Sequence, residues 1–180
     1  MKRIVADPKK CMACRACELA CALAHADTDD LVEAITKKGA KPCIYIESAG
    51  ALVVPLQCRH CEDAPCMVVC PSGALLRPDE EGPVLVDQAK CIGCAFCVQA
   101  CPFGVIRLAH GSGADASDKQ MAVIKCDLCA DRQAEGLEPA CVTSCPVGAL
   151  MFVEVDDSAK MARIRAAAQA AAVVITGRGR

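Results

Sequence analysis

The sequence predicts an α+β fold of short helices and small antiparallel β-ribbons, followed by a C-terminal helix. Three observations predict it. Sixteen of the 17 cysteines fall into four quartets, each opening on a tight loop and closing where there is room for one or two helical turns. Short β-rich runs separate the quartets. The only aromatic residues are Tyr45, Phe96, Phe103 and Phe152, so a core of ordinary side chains would be thin and something else must fill the centre.

The third quartet sets the pattern. Cys91, Cys94, Cys97 and Cys101 are separated by two, two and three residues and followed by Pro102, the spacing of the bacterial iron–sulfur ligand run. Three closely spaced thiolates wrap one face of an iron–sulfur cube. The fourth, turned away on a short helix, ligates a different cluster, so one run implies another. The first quartet, Cys11, Cys14, Cys17 and Cys21, has the same spacing. The second, Cys58, Cys61, Cys66 and Cys70, has two extra residues in its middle interval. The fourth, Cys126, Cys129, Cys141 and Cys145, has eleven residues there, and their polar character with Gly136 and Pro139 predicts a surface loop over 130–140. The closures Cys70-Pro-Ser-Gly-Ala-Leu, Cys101-Pro-Phe-Gly-Val-Ile and Cys145-Pro-Val-Gly-Ala-Leu form an internal repeat of ligand loop, short helix, proline–glycine turn and strand.

In chain order, residues 2–6 read as a strand that Asp7-Pro8 turns into the first quartet. Cys21 is not followed by proline, so the helix beginning near Arg15 is expected to run to about Ala26. His25 is expected to cap or solvate that helix end rather than bind metal. Leu31 to Lys38 is expected as a short helix stopped by Gly39. Residues 42–47 and 52–57 predict a hairpin around Ser48-Ala49-Gly50-Ala51. Cys43, outside every quartet, is expected as a small buried hydrophobe on the first of these strands. Asp63 is placed to cap a helix over Cys66 to Cys70, with Pro65 in its first turn and Pro71 as its break. His60, between two ligands, is expected to tune hydrogen bonds or face a partner rather than ligate. Residues 74–87 predict two strands around an acidic turn, and strands are also expected at 102–108 and 121–125, separated by a linker-like segment over 110–120. Ser158 is expected to cap a C-terminal helix, preceded by Asp156 and Asp157 and stopped by Gly177. Met161, Ile164, Ala168, Ala171 and Ile175 make one apolar stripe on it, with Arg163 and Arg165 off the stripe. It is too short to span a bilayer, which takes about 20 apolar residues, and is expected to dock on another subunit, the alternative being that it packs back on its own domain.

Composition excludes several classes. A disulfide scaffold fits poorly, because cysteines two residues apart on a tight loop rarely meet disulfide geometry, and the opening ten residues contain no apolar signal-peptide core. A reduced, cytoplasmic setting is expected. Zinc sites do not account for the cysteine–proline closures. The formal charge is −2 with thiols counted as neutral; four cluster sites at about two negative charges each bring it to about −10, which disfavours nucleic acid as a partner. With no Gly-x-Gly-x-x-Gly, no nucleophile triad and no open metal site, catalysis by this chain alone is not expected.

The order and spacing of the four quartets, with Cys-Arg-His-Cys-Glu-Asp-Ala-Pro-Cys at 58–66 and Lys-Cys-Asp-Leu-Cys-Ala-Asp-Arg at 125–132, resemble the four-cluster iron–sulfur electron-transfer subunits of the dimethyl sulfoxide reductase and formate dehydrogenase class. The compact length is similar to the soluble polyferredoxin branch. That branch includes subunits of formate hydrogenlyase, the iron–sulfur partner of carbon monoxide dehydrogenase and the small subunit of tungsten aldehyde oxidoreductases. The resemblance covers residues 2 to about 155. It implies two interleaved bacterial-ferredoxin-like units, one discontinuous over 1–50 and 121–155 and one inserted over 51–120; 156–180, beyond the resemblance, is the expected C-terminal helix and tail. It implies four [4Fe-4S] clusters, held by Cys11, Cys14, Cys17 and Cys145; by Cys126, Cys129, Cys141 and Cys21; by Cys58, Cys61, Cys66 and Cys101; and by Cys91, Cys94, Cys97 and Cys70. Some relatives replace the second cysteine of the third quartet, but Cys94 is intact here. The implied function is a relay of single electrons to or from a catalytic oxidoreductase subunit: a molybdenum or tungsten enzyme, a hydrogenase or carbon monoxide dehydrogenase. A further electron-input or flavin subunit is a possible partner, and a free-standing polyferredoxin is the alternative.

Overall fold

The computed structural model describes residues 2–26, 28–110 and 121–157, together with 159–160, 162–164 and 166–167. Strand β1 (Lys2–Ala6) is followed by helices α1 (Ala16–Ala24) and α2 (Leu31–Thr36), then by strands β2 (Ile44–Ala49) and β3 (Leu52–Gln57). Next come α3 (Pro65–Val68), β4 (Leu75–Leu76), β5 (Leu85–Val86) and α4 (Phe96–Ala100). The order ends with β6 (Arg107–His110), β7 (Met121–Ile124), α5 (Ala130–Ala134), α6 (Ala140–Thr143) and β8 (Leu150–Glu154). The strands pair as antiparallel two-stranded ribbons: β1 with β8, β2 with β3, β4 with β5 and β6 with β7. The first of these joins opposite ends of the chain, with Ile4 facing Phe152 across the ladder.

Two-stranded ribbons and four-residue helices are marginal on their own, so packing between distant segments has to hold them. Helix α1 lies on α6, and α3 lies on α4. Around the first pair, Ile4, Cys17, Cys21, Ile44, Ile46, Leu128, Cys141 and Leu150 form one buried apolar cluster. Around the second, Ala64, Cys66, Leu75, Val84, Cys91, Cys97 and Ile106 form another. Strand β2 shows why the hairpin sits where it does: Ile44 and Ile46 point into the core while Glu47 is exposed, the alternation of a half-buried strand. Arg107 ties β6 to this hairpin, donating to the Pro42 carbonyl at 2.7 Å and lying over the Tyr45 ring at 5.5 Å.

Several local expectations are corrected by the structure. Helix α1 stops at Ala24, short of Ala26, because the His25 ring folds back onto the Cys21 carbonyl at 2.7 Å. Helix α2 ends at Thr36; Asp30 caps it by accepting from the Val32 and Glu33 amides, and the Ala40 amide closes on the Ala34 carbonyl beyond the left-handed Gly39. Asp63 is not the cap of α3. The capping position is Ala64, which makes no side-chain cap, and the helix ends at Val68, before Cys70. The insertion in the fourth quartet is not merely a loop: Ala-Asp-Arg-Gln-Ala forms α5, ended by the left-handed Gly136. Helical backbone follows β8 directly from Val155, placing Asp156 and Asp157 inside the first turn, where carboxylates suit the positive helix end. Of the expected stripe, Ile164 is exposed; Ser158, Met161, Arg165, Ala168, Ala171, Ile175 and Gly177 lie outside the described residues, as does 111–120 of the expected linker.

Gly93 gives a test of the packing between segments. Its φ is +69°, and a Cβ built there would stand 2.8 Å from the Met121 carbonyl oxygen, whereas Gly104, at φ +63°, has open space. Gly104→Ala is expected to cost about 1 kcal/mol from the left-handed backbone alone, and Gly93→Ala at least about 2 kcal/mol because the β7 backbone must also shift. Thermal unfolding of the two variants checks this; equal losses would show that the contact with Met121 carries no weight.

Candidate iron–sulfur centres

The ligand loops have an unusual backbone. The described non-glycine residues with positive φ are Ala13, Arg15, His60, Ala95, Leu128 and Cys129, and every one lies between the first and third cysteines of a quartet. A left-handed residue costs about 1–2 kcal/mol when it is not glycine. What the loop gains is a set of amides turned inward, the concave arrangement that binds anions and iron–sulfur groups. Some of these amides already point at sulfur: His60 N–H at Cys58 Sγ over 3.4 Å and Leu128 N–H at Cys126 Sγ over 3.4 Å. In the proline–glycine turn after the last quartet, Ala149 N–H points at Cys145 Sγ over 3.2 Å.

The structure brings together cysteines that are far apart in sequence. A cavity is lined by Cys11, Cys14, Cys17 and Cys145, walled by Ile46, Pro55 and Leu150. A second is lined by Cys70, Cys91, Cys94 and Cys97, with Ile92 and Val123. Cys14 and Cys94 are the exposed members of these groups. Cys21 lies close enough to Cys126, Cys129 and Cys141 that its negative charge adds to burial in raising all three thiols. Cys66 is raised first by burial and then by Cys58, with a smaller push from Cys101. Thiols this buried do not ionise unless a cation compensates them, and cluster iron is that cation. The donor set, its burial and the inward amides therefore fit 4Fe-4S clusters.

The Cys21 thiol sits among hydrogen-bond donors. The Cys43 thiol donates to it, and so does the Cys43 backbone amide at 3.2 Å. Against its burial, these donors and His25 push the Cys21 thiol down to about 5. Cys43 is buried as expected, but it sits just before β2 rather than on it, and its thiol is pushed up by the Cys21 contact and by burial. His25 engages both ring nitrogens, Nδ1 on the Cys21 carbonyl and Nε2 on Asp127 Oδ1 at 3.1 Å, so it has no lone pair to offer a metal. Chiefly through the Asp127 hydrogen bond, it is pushed up to about 11 and is held as an imidazolium.

His60 is fully buried rather than facing a partner. Its Nδ1 accepts from the Val84 amide at 3.0 Å, which assigns the proton to Nε2. Burial first, then the charges of Lys125 and Arg3, push it down to about 2, so it stays neutral. Arg3 and Lys125 are the residues sequence reading missed. Arg3 sits in a run that reads as an ordinary strand and Lys125 inside a familiar motif, and neither periodicity nor spacing signals that a cation there is buried.

Two quartet-bearing cores, crossed cysteines and anion-binding loops define an iron–sulfur protein that carries 4Fe-4S clusters. The chain belongs to the 4Fe-4S dicluster domain family, whose sequence model matches residues 49–155. It is 40% identical over 158 residues to the iron-sulfur protein of Rhodospirillum rubrum, covering 85% of this chain and 82% of that one. It is 39% identical over 158 residues to the electron transport protein HydN of Escherichia coli strain K12, covering 84% and 87%. It is 42% identical over 157 residues to the thiosulfate reductase electron transfer subunit PhsB of Salmonella typhi, covering 84% and 75%. The chain is accordingly an electron-transfer component and not a catalytic one. Among the described residues no helix is long and apolar enough to cross a membrane.

The contrast between Cys43 and a quartet cysteine is measurable. Cys43→Ala keeps the amide that donates to Cys21 and should leave iron per chain at the parent value, whereas Cys94→Ser should lower it or alter one cluster, because a serine oxygen is a poorer match than thiolate. Loss of a whole cluster from the Cys43 variant would place it among the ligands.

Proposed function

We propose that this chain relays single electrons through four [4Fe-4S] clusters as the electron-transfer subunit of a complex with a catalytic oxidoreductase subunit. The observation that carries this reading is the crossing of cysteines at the two cavities, where three thiols of one quartet meet the fourth of another: Cys145 joins Cys11, Cys14 and Cys17, and Cys70 joins Cys91, Cys94 and Cys97. The other two sets follow the same rule, Cys126, Cys129 and Cys141 with Cys21, and Cys58, Cys61 and Cys66 with Cys101. The pairing of β1 with β8 and of α1 with α6 supports a discontinuous first unit, 1–50 with 121–155. The pairing of β4 with β5 and of α3 with α4 supports an inserted unit over 51–120.

When bound, each cluster supplies one-electron oxidation and reduction. The chain's own residues hold the four ligands, turn amides toward sulfur and exclude water with side chains such as Ile46, Leu150 and Val123. A partner subunit is supported by exposed apolar residues at the ligand loops, Met12 at 62% and Ile92 at 60% exposure, and by Ile164 on the C-terminal helical segment at 60%. The named roles of the relatives as electron transport protein and reductase subunit point the same way. Which oxidoreductase it serves is a question for co-purification; a molybdenum or tungsten enzyme, a hydrogenase or carbon monoxide dehydrogenase is the expected class, in the cytoplasm.

Purified under anaerobic conditions, the chain should contain about sixteen iron and as much acid-labile sulfide. A content near eight would reduce the reading to two clusters. Removing iron by chelation should abolish cooperative thermal unfolding, since the short helices and ribbons depend on the cores that the cysteines build; retained native circular dichroism would count against this. Deleting everything after Val155 should leave iron content unchanged and weaken co-purification with the catalytic subunit. A truncated chain that still co-purifies stoichiometrically assigns the segment to its own fold.

A further inference from the structure

Among the described residues, the buried polar or charged side chains are Arg3, Gln57, His60 and Lys125, exposed by 9, 1, 1 and 6%. Arg3, Gln57 and His60 gather at one short segment, the loop that carries Cys58 and Cys61, and Lys125 reaches it through Val84. Arg3 Nη2 donates to the His60 carbonyl at 3.2 Å, and Gln57 Nε2 donates to the Ile4 carbonyl next to Arg3 at 3.0 Å. Lys125 Nζ donates to the Val84 carbonyl and, at 2.6 Å, to that of Cys126, while the Val84 amide donates to His60 Nδ1 at 3.0 Å. A third cation, the half-buried Arg77, donates to the carbonyls of Cys61 and Glu62. Arg3 and Arg77 thus hold this ligand loop by its carbonyls, from β1 and from the turn after β4, while Lys125, at the end of β7, stands behind it on the Val84 backbone that also holds His60.

None of the three forms an ion pair with a carboxylate among the described residues. A buried cation hydrogen-bonded only to neutral carbonyls is costly unless an anion stands nearby. His60 adds a second unmet requirement: its Nε2 is buried with no acceptor in the protein, although the Val84 amide assigns that nitrogen the proton. The loop thus presents excess positive charge and a spare N–H donor. A cluster with four thiolates carries about two negative charges when oxidised and one more when reduced, so it suits both, and the reduced form more.

We propose that Arg3, Arg77 and Lys125, with the N–H of His60, form a cationic cradle that raises the reduction potential of the cluster served by Cys58, Cys61 and Cys66, making it the first of the four to accept an electron. This rests on the ligand sets proposed above. The other centres lack such a cradle. Beside Cys126, the cations Lys125 and His25 face Asp127, which pairs with His25, whereas at His60 Asp127 faces Lys125, Arg3 and Arg77 together. Near Cys17, Arg15 is exposed and paired with Glu18, and near Cys91, Lys90 is exposed and paired with Asp87. The step is a one-electron reduction in which no bond forms or breaks, the electron coming from a reduced donor such as dithionite through mediators.

The test is a poised redox titration of the full-length, cluster-loaded chain followed by electron paramagnetic resonance, with iron measured for every variant. Cys61→Ser marks the signal of the cluster concerned. Lys125→Met should lower that midpoint by enough to change its oxidised-to-reduced ratio at least tenfold, about 59 mV for one electron, and Lys125→Arg should restore it. Arg3→Gln should shift the same signal in the same direction, and it provides the measurement if Lys125→Met loses iron. A marked signal that is not the first to appear, or that does not move in the charge-removing variants while iron stays at the parent value, overturns the cradle and leaves the ligand sets standing. If Cys61→Ser alters no single signal, the ligand sets themselves fall, and the cradle with them.

Discussion

The bond between a thiolate and the group it holds governs this molecule, and the protein's part of it is to supply an amide where the sulfur carries negative charge. Amides of His60, Leu128 and Ala149 reach the sulfurs of Cys58, Cys126 and Cys145, and that of Cys43 reaches Cys21. To aim such amides, the loops place alanine, arginine, histidine and leucine in a backbone region that side chains avoid. The strain is tolerable only because four ligands then act on one rigid group, which returns far more free energy than the loops lose.

That dependence explains the rest of the architecture. Helices of four or five residues and ribbons of two strands do not stand alone, and here they need only frame the cysteines. Alanine is buried on both members of the α1–α6 pair, as Ala22 and Ala140. The aromatic-poor composition belongs to the same design, since the centre of each half is cysteine.

Electrostatics separates the centres from one another. The Cys21 thiol is pushed down by Cys43 and His25, while Cys126, Cys129 and Cys141 around it are pushed up by burial. Around Cys58 and Cys61 the neighbours are cations and a neutral histidine. A relay whose sites share one ligand type can be graded only by such surroundings, because net charge, hydrogen bonds and solvent access are what the protein controls.

The sequence by itself determined the cofactor chemistry, the quartets and the repeat, because ligand spacing is a local property: two residues between thiols is a loop whatever surrounds it. It also determined most strands, since alternation such as Ile44-Tyr45-Ile46-Glu47 needs no distant partner to be read. It missed α5, whose helix formers sat inside a segment read as a loop, and it misplaced the cap of α3 by one residue, because capping depends on backbone angles rather than residue type. Which distant cysteine joins each loop was implied by resemblance and not by spacing; the tertiary structure lines one cavity with Cys145 beside Cys11, Cys14 and Cys17 and another with Cys70 beside Cys91, Cys94 and Cys97, and it alone decided where the unpaired cations lie. Cys145 reaches Cys11 because β8 pairs with β1, and Lys125 is buried because β7 delivers it against Val84. Proximity of this kind is set by chain topology, which residue spacing along the sequence does not encode.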